Sequence, residues 1–266
     1  MQIKRTRRSF LRFSAFAGVA STLKVNTVSG NDLAENTLDS FDNEKSLVIL
    51  FQGDSITDGN RGRNKDPNHI LGHGYAFSIA SRIGDDFAES NHTFYNRGIS
   101  GNRIPDLKKR WQTDVLDLKP DVLSILIGIN DTSALIHKPE IEDADIDQFE
   151  ATYRDILEQS RQLNPDILFV ICLPFVYPVA TVKENWEKYS TTLAKLTKRI
   201  KKLASEFNAV IVDFPAAIDK AIKRAPLEYW IWDGIHPTVP AHEVMAREWI
   251  KKVSSRFKFL RIYKYK

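Results

Sequence analysis

Short apolar runs recur along the chain, separated by longer amphipathic stretches. The runs are Leu47–Phe51, Val122–Ile127, Ile167–Cys172 and Ala209–Val212, with Thr93–Tyr95 a weaker fifth. Near-continuous runs of this length predict strands covered on both faces, as in a parallel sheet. Between them, Phe149, Tyr153, Ile156, Leu157 and Leu163 share one helical face, and Asn164-Pro165 closes that segment. Tyr75–Ile83, Ile104–Leu116, Asn185–Phe207 and Val239–Phe257 read as further helices. Strand and helix therefore alternate, which predicts an α/β fold: a three-layer α/β/α arrangement around a five-stranded, mostly parallel sheet. Ligands of such sheets bind beyond the carboxyl ends of the strands, so chemistry is sought just after each apolar run.

Composition narrows the class. The 266 residues are 42% hydrophobic and 27% charged, without repeats or low-complexity tracts, and this fits one domain over residues 31–257. The single cysteine, Cys172, excludes an internal disulfide and a cysteine-based zinc site. A formal charge of +4 points toward nucleic acid until its distribution is considered. Six cations lie in residues 1–30 and seven in residues 251–266, with no acid in either; removing these thirteen charges from +4 leaves −9 for residues 31–250. The body is acidic, and no nucleic-acid partner is expected. Residues 258–266 form a basic and aromatic tail, read either as an extension packing its aromatics on the body or as a grip on an anionic polymer.

At the N-terminus, a basic stretch through Arg12 precedes eleven uncharged residues, Phe13–Leu23, too few for the roughly 20 that span a bilayer. Arg7-Arg8 followed by Phe10-Leu11 closely resembles a twin-arginine signal. The resemblance implies that residues 1–30 are an export signal read by the twin-arginine machinery, with cleavage between Ala17 and Gly30 and a periplasmic or extracellular product. The longest later apolar run, Ile167–Val182, is broken by Pro174 and Pro178, so no integral membrane segment is expected in the mature protein.

Four polar blocks follow the strands or precede the last helix. Gly53-Asp54-Ser55 places a hydroxyl after the first strand, and Gly98 with Ser100-Gly101 forms a glycine-punctuated loop after the second. Gly128-Ile129-Asn130-Asp131 offers a neutral amide donor. Asp233-Gly234-Ile235-His236-Pro237 sets a carboxylate three residues before an imidazole, within reach of its ring N–H. Each block alone is ordinary turn chemistry.

In this order, spanning residues 53–237, the four blocks resemble those of the SGNH, or GDSL, hydrolases, with Ile56 standing where the family name has Leu. The resemblance implies a flavodoxin-like sheet and a serine esterase working through a Ser-His-Asp triad and an acyl-enzyme. Ser55 would be nucleophile, His236 base and then acid, and Asp233 its orienter. The oxyanion hole would comprise the N–H groups of Ser55 and Gly101 and the side-chain amide of Asn130. No cofactor is implied. His69, His73, His92, His137 and His242 lack metal-ligand spacing, and neither a Gly-x-Ser-x-Gly elbow nor a nucleotide loop occurs.

Asn96–Asn102 with Trp111, Leu173-Pro174-Phe175 and Trp230-Ile231-Trp232 are similar to the xylan-esterase-like branch, which implies an acetylated saccharide as the ester substrate. Trp230, Trp232 and Arg61 are candidate substrate-binding residues, as stacking platforms and an entrance charge. The alternatives are a lipid or short-chain acyl-ester hydrolase on the same catalytic residues, and a non-catalytic carbohydrate-binding protein.

Overall fold

The computed structural model describes residues 45–64 and 66–265, so the expected export signal and Lys65 lie outside the described residues. The five strands are β1 (Val48–Gly53), β2 (Thr93–Asn96), β3 (Val122–Leu126), β4 (Leu168–Cys172) and β5 (Val210–Val212). They form one sheet in the order β2-β1-β3-β4-β5, every pairing parallel, which is the flavodoxin-like order. The winding reverses at β1, which pairs with β2 on one side and β3 on the other.

The helices are α1 (Ser55–Asp58), α2 (Tyr75–Asp86), α3 (Ile104–Lys109), α4 (Trp111–Asp114), α5 (Ile129–Ile136), α6 (Asp143–Leu163), α7 (Trp186–Glu206), α8 (Phe214–Ile222), α9 (Leu227–Trp230) and α10 (Val239–Val253). Side chains along a strand alternate between faces, and the register turns that alternation into two cores. Phe51, Ser124, Val170 and Val210 are aligned on one face, which α2, α8 and α10 cover. Leu50, Leu123 and Phe169 are aligned on the other, covered by α3, α6 and α7. A buried indole N–H needs an acceptor, and each core supplies a serine: Trp249 Nε1 donates to Ser124 Oγ (2.9 Å), Trp111 Nε1 to Ser160 Oγ (3.0 Å).

The sequence expectation fails at Ile104–Leu116, which is two helices rather than one. The backbone leaves helical geometry at Arg110 (φ −111°, ψ 11°), whose guanidinium turns back to bond Asn102 Oδ1 (2.9 Å) and the Arg97 carbonyl (2.7 Å). Ile104, Leu107, Trp111 and Val115 still reach one core, which is why their spacing reads as a single helix. Helix α10 ends at Val253, before Phe257. A 3₁₀ turn over Lys258–Ile262 then buries Phe259 and Leu260 while Lys258, Arg261 and Lys264 stay exposed. Phe259 meets Phe87 edge to face, with centroids 4.8 Å apart. Among the described residues no helix is long and apolar enough to cross a membrane.

Helix α10 also carries the buried His242, whose Nδ1 accepts the Tyr75 N–H (3.1 Å) and so caps the start of α2. Burial, reinforced by nearby His73 and His236, pushes this imidazole down to about 4. A base whose folded value is depressed stabilises the fold above its unfolded value, and that contribution is lost as pH falls through the folded one. The shift from 6.5 corresponds to about 3 kcal/mol, withdrawn between pH 6.5 and 4. His242→Asn, which keeps an acceptor without a titrating ring, is expected to lose less urea-unfolding stability over that interval than the parent; parallel losses would refute the assignment.

Candidate active site

The carboxyl ends of β1, β2 and β3 lie side by side, and the residues just beyond them converge. Ser55 opens α1 directly after β1. Asp54 caps that helix, its Oδ1 accepting the Ile56 N–H (3.0 Å), and Gly59 ends it in the left-handed region (φ 52°). A turn this tight holds the Ser55 hydroxyl at the sheet edge.

Its partner arrives from 181 residues away. Ser55 Oγ lies 2.8 Å from His236 Nε2, and His236 Nδ1 lies 2.6 Å from Asp233 Oδ2. Asp233 Oδ1 accepts the N–H groups of Ile235 (2.9 Å) and His236 (2.6 Å), so one carboxylate shapes the loop and orients the ring. Burial pushes the Asp233 carboxyl up, but its bonds to His236 and Ile235 outweigh burial and hold it below the usual carboxylate range. It is therefore ionised at neutral pH and serves as the acceptor that orients the His236 ring. The loop itself is pinned by an Ile231–Pro237 bridge and by the Gly234 carbonyl, which accepts the Tyr177 N–H (2.8 Å).

The structure brings the other sequence-predicted residues to the same edge, with one exception. Gly101 follows β2 with φ 81°, and no atom lies within 4 Å of the position a Cβ would take. Among the described residues no protein acceptor is found for the backbone N–H of Ser55 or Gly101. Asn130 sits in the first turn of α5, one amide hydrogen donated to the Asn102 carbonyl (3.1 Å) and the other left over. Trp232 is 61% exposed and stacks on the His236 ring (6.2 Å, 25°). Trp230 is the exception: it is 5% exposed, its Nε1 donates to the Ala225 carbonyl (3.3 Å) and Arg224 covers its ring, so it packs beneath the loop and offers no platform. Arg61 is half-buried with Nε on the Gly98 carbonyl (2.8 Å), and burial together with Arg63 pushes it down to about 10. Among the described residues no group of three or more His, Cys, Asp or Glu is gathered as a metal site would be.

The sequence model of the GDSL-like lipase/acylhydrolase family matches residues 51–244, most of the chain and all four blocks. The chain belongs to that family. It is a carboxylic ester hydrolase. An acetylxylan esterase of Geobacillus stearothermophilus is 31% identical over 209 residues, covering 77% of this chain and 93% of that one. Its crystal structure superposes with a TM-score of 0.66 at 30% identity, covering 84% of this chain and 97% of that one. Three further structures of that enzyme are described as catalytic mutants, with a serine, a histidine or an aspartate three positions before the histidine replaced by alanine. A protein of Parabacteroides merdae described as a GDSL-like lipase superposes with a TM-score of 0.73 at 37% identity, covering 79% of this chain and 97% of that one. An uncharacterized lipoprotein of Bacillus subtilis is 33% identical over 87 residues, 32% of this chain and 35% of its own length.

Two acids of the esterase that sequence reasoning left without a role stand directly behind this site. Asp54 precedes Ser55 and Asp131 follows Asn130; both are buried, and Asp131 accepts the Ile104 N–H at 3.0 Å. Among the described residues Asp54 Oδ2 has no hydrogen-bond partner. Burial pushes both carboxyls up to about 7, and Asp131 adds to the effect on Asp54. The only sequence signal was their place inside two blocks, since their depth depends on packing from distant segments. A carboxyl whose folded value is raised binds its proton more tightly in the folded state, so its stabilising contribution is present at low pH and is lost as pH rises from about 4 toward 7. The expected outcome for Asp54→Asn is a smaller fall in unfolding free energy between pH 4.5 and 7 than in the parent; an equal fall would show that Asp54 carries no such penalty.

Proposed function

We propose that this esterase deacetylates carbohydrates of the acetylxylan type, with Ser55 as nucleophile, His236 as general base and then acid, and Asp233 as the orienter of His236. The observation carrying the mechanism is the unbroken hydrogen-bond chain from Ser55 Oγ through His236 to Asp233. Its residue types and the spacing of its aspartate and histidine parallel those altered in the catalytic mutants of the Geobacillus esterase. The acetylxylan assignment leans on that relative.

A serine hydroxyl is a weak nucleophile until a base takes its proton. As Ser55 Oγ attacks the acetyl carbonyl, His236 Nε2 receives that proton and the carbonyl oxygen gains charge. The Ser55 N–H, the Gly101 N–H and the remaining Asn130 amide hydrogen are the donors assigned to that oxyanion, each contributing roughly 3 to 4 kcal/mol in a preorganised site. Collapse of the tetrahedral intermediate breaks the ester C–O bond, and His236 returns the proton to the departing sugar oxygen. Water, deprotonated by the same nitrogen, then attacks acetyl-Ser55; the acyl C–Oγ bond breaks, His236 returns the proton to Ser55 Oγ, and acetate leaves. Exposed beside His236, Trp232 is positioned to stack on a sugar ring, whereas Arg61 is assigned to the entrance.

The organisation proposed with this activity is an export signal over residues 1–30, one hydrolase domain over 31–257 and a short C-terminal tail over 258–266. Export through the twin-arginine machinery to the periplasm or the medium agrees with a polymeric substrate, and the lipoprotein relative is consistent with a destination outside the cytoplasm.

Acetate release from acetylated xylan, measured beside hydrolysis of short and long p-nitrophenyl esters, tests the proposal. Ser55→Ala is expected to lower kcat roughly 10⁴-fold or more with the fold intact. Undiminished turnover would reject the mechanism, and a preference for long acyl chains without acetate release would reject the saccharide. For Trp232→Ala the expectation is a KM for the polymer raised roughly threefold to tenfold, with little change on p-nitrophenyl acetate; equal effects on both substrates would argue against stacking.

A further inference from the structure

We propose that Asp58 and Arg63 form a clamp that positions the Gly101 N–H for the oxyanion; this rests on the reading of Gly101 as an oxyanion donor given above. Asp58 is the last residue of α1, three positions after Ser55, and its side chain is 3% exposed. Its carboxylate is saturated by donors from two segments. Oδ1 accepts the Arg61 N–H (3.1 Å) and Arg63 Nη1 (3.1 Å). Oδ2 accepts Arg63 Nη2 (2.6 Å), the Ser100 N–H (3.0 Å) and the Ser100 hydroxyl (3.3 Å). Arg63 therefore engages the carboxylate in a two-pronged pair, while the same carboxylate holds the residue immediately before Gly101.

The far side of Gly101 is anchored independently. Asn102 is held through its carbonyl by Asn130 and through its side chain by Arg110 Nε (2.9 Å), and the Ile104 N–H is held by Asp131. Gly98 lies against the backbone of Asp58, where a Cβ would run into the Asp58 nitrogen, so the loop is seated directly on the nucleophile helix. Gly101 is thus a peptide suspended between two fixed residues, with a positive φ that aims it and open space where substrate would lie. Burial pushes the Asp58 carboxyl up, but its bonds to Arg63, Ser100 and Arg61 outweigh burial and hold it below the usual range, so the clamp remains charged. Neither side chain reaches the serine or the histidine. Their effect passes through Ser100 to Gly101, and both are positioning residues.

Because Arg63 is half exposed, Arg63→Gln tests the clamp without excavating the core. Against the parent enzyme, Arg63→Gln is expected to lower kcat for a short ester roughly 10-fold and Asp58→Asn roughly 100-fold, with KM within about threefold. Affinity for a methyl trifluoromethyl ketone, which forms an oxyanion on Ser55, should fall by the same factor as kcat/KM, and Arg63→Lys should recover part of the loss. Amide exchange across residues 97–104 should accelerate in Arg63→Gln and Asp58→Asn while the rest of the sheet keeps its protection. A folded Arg63→Gln with kcat within twofold of the parent, a rise in KM at constant kcat, or unchanged exchange in residues 97–104 would overturn the proposal. Exchange does not depend on turnover, so failure of the clamp is distinguishable from failure of the functional reading, which Ser55→Ala decides.

Discussion

Parallel pairing of β1 on both of its edges is the constraint from which the site follows. With β2 on one side and β3 on the other, three carboxyl ends face the same way in adjacent positions. After β1 and β3 the chain turns into α1 and α5, whereas the segment after β2 runs on beside β1, the Arg97 and Ile99 N–H groups bonding the Phe51 and Gly53 carbonyls, before it turns at Ser100 and Gly101. Ser55, Gly101 and Asn130 are what those turns expose. A parallel sheet places side chains in register rows, and here Gly53 pairs with Leu126, so the chains leave the sheet for Ser55 and Asn130 at the same level. The hydroxyl and two of the proposed oxyanion donors are therefore fixed relative to one another by the sheet itself.

The remaining half of the site has no strand beneath it. Asp233 and His236 lie on a loop between α9 and α10 whose rigidity comes from its own hydrogen bonds and from the segment after β4. Asp233 Oδ1 takes two backbone N–H groups, and the Gly234 carbonyl takes the N–H of Tyr177. Beneath the loop, Trp249 of α10 meets Phe51 of β1, and Phe51 meets Tyr75 of α2 edge to face.

Much of this arrangement was legible because strand ends and helix faces are local signals. The five apolar runs mark the five strands to within a residue or two, and the block residues that follow them point to the sheet edge. The single helix expected over Ile104–Leu116 was misread because hydrophobic spacing records which residues face the core and is silent about a backbone break between them. The break falls at Arg110, whose guanidinium bonds Asn102 and Arg97 on a different loop. The same limit applies to Asp58 and Arg63. Both stand in view close after Ser55, yet the Ser100 that Asp58 holds is 42 residues away from it. Long-range polar contacts carry no periodicity, and only the folded chain displays them.

The two tryptophans show how little sequence separation is needed to divide structural from surface roles. Trp230 closes the last turn of α9, so its indole lies in the helix-packed layer and its N–H is consumed locally by the Ala225 carbonyl. Two residues later the backbone has passed Ile231, an extended residue bridged to Pro237, and Trp232 emerges on the solvent side against His236. A large apolar ring exposed beside a proposed general base forgoes roughly 2 kcal/mol of burial that a core position would supply. Trp232 does so while its neighbour is fully packed, and that contrast is what supports its proposed role as the contact for a sugar ring beside His236.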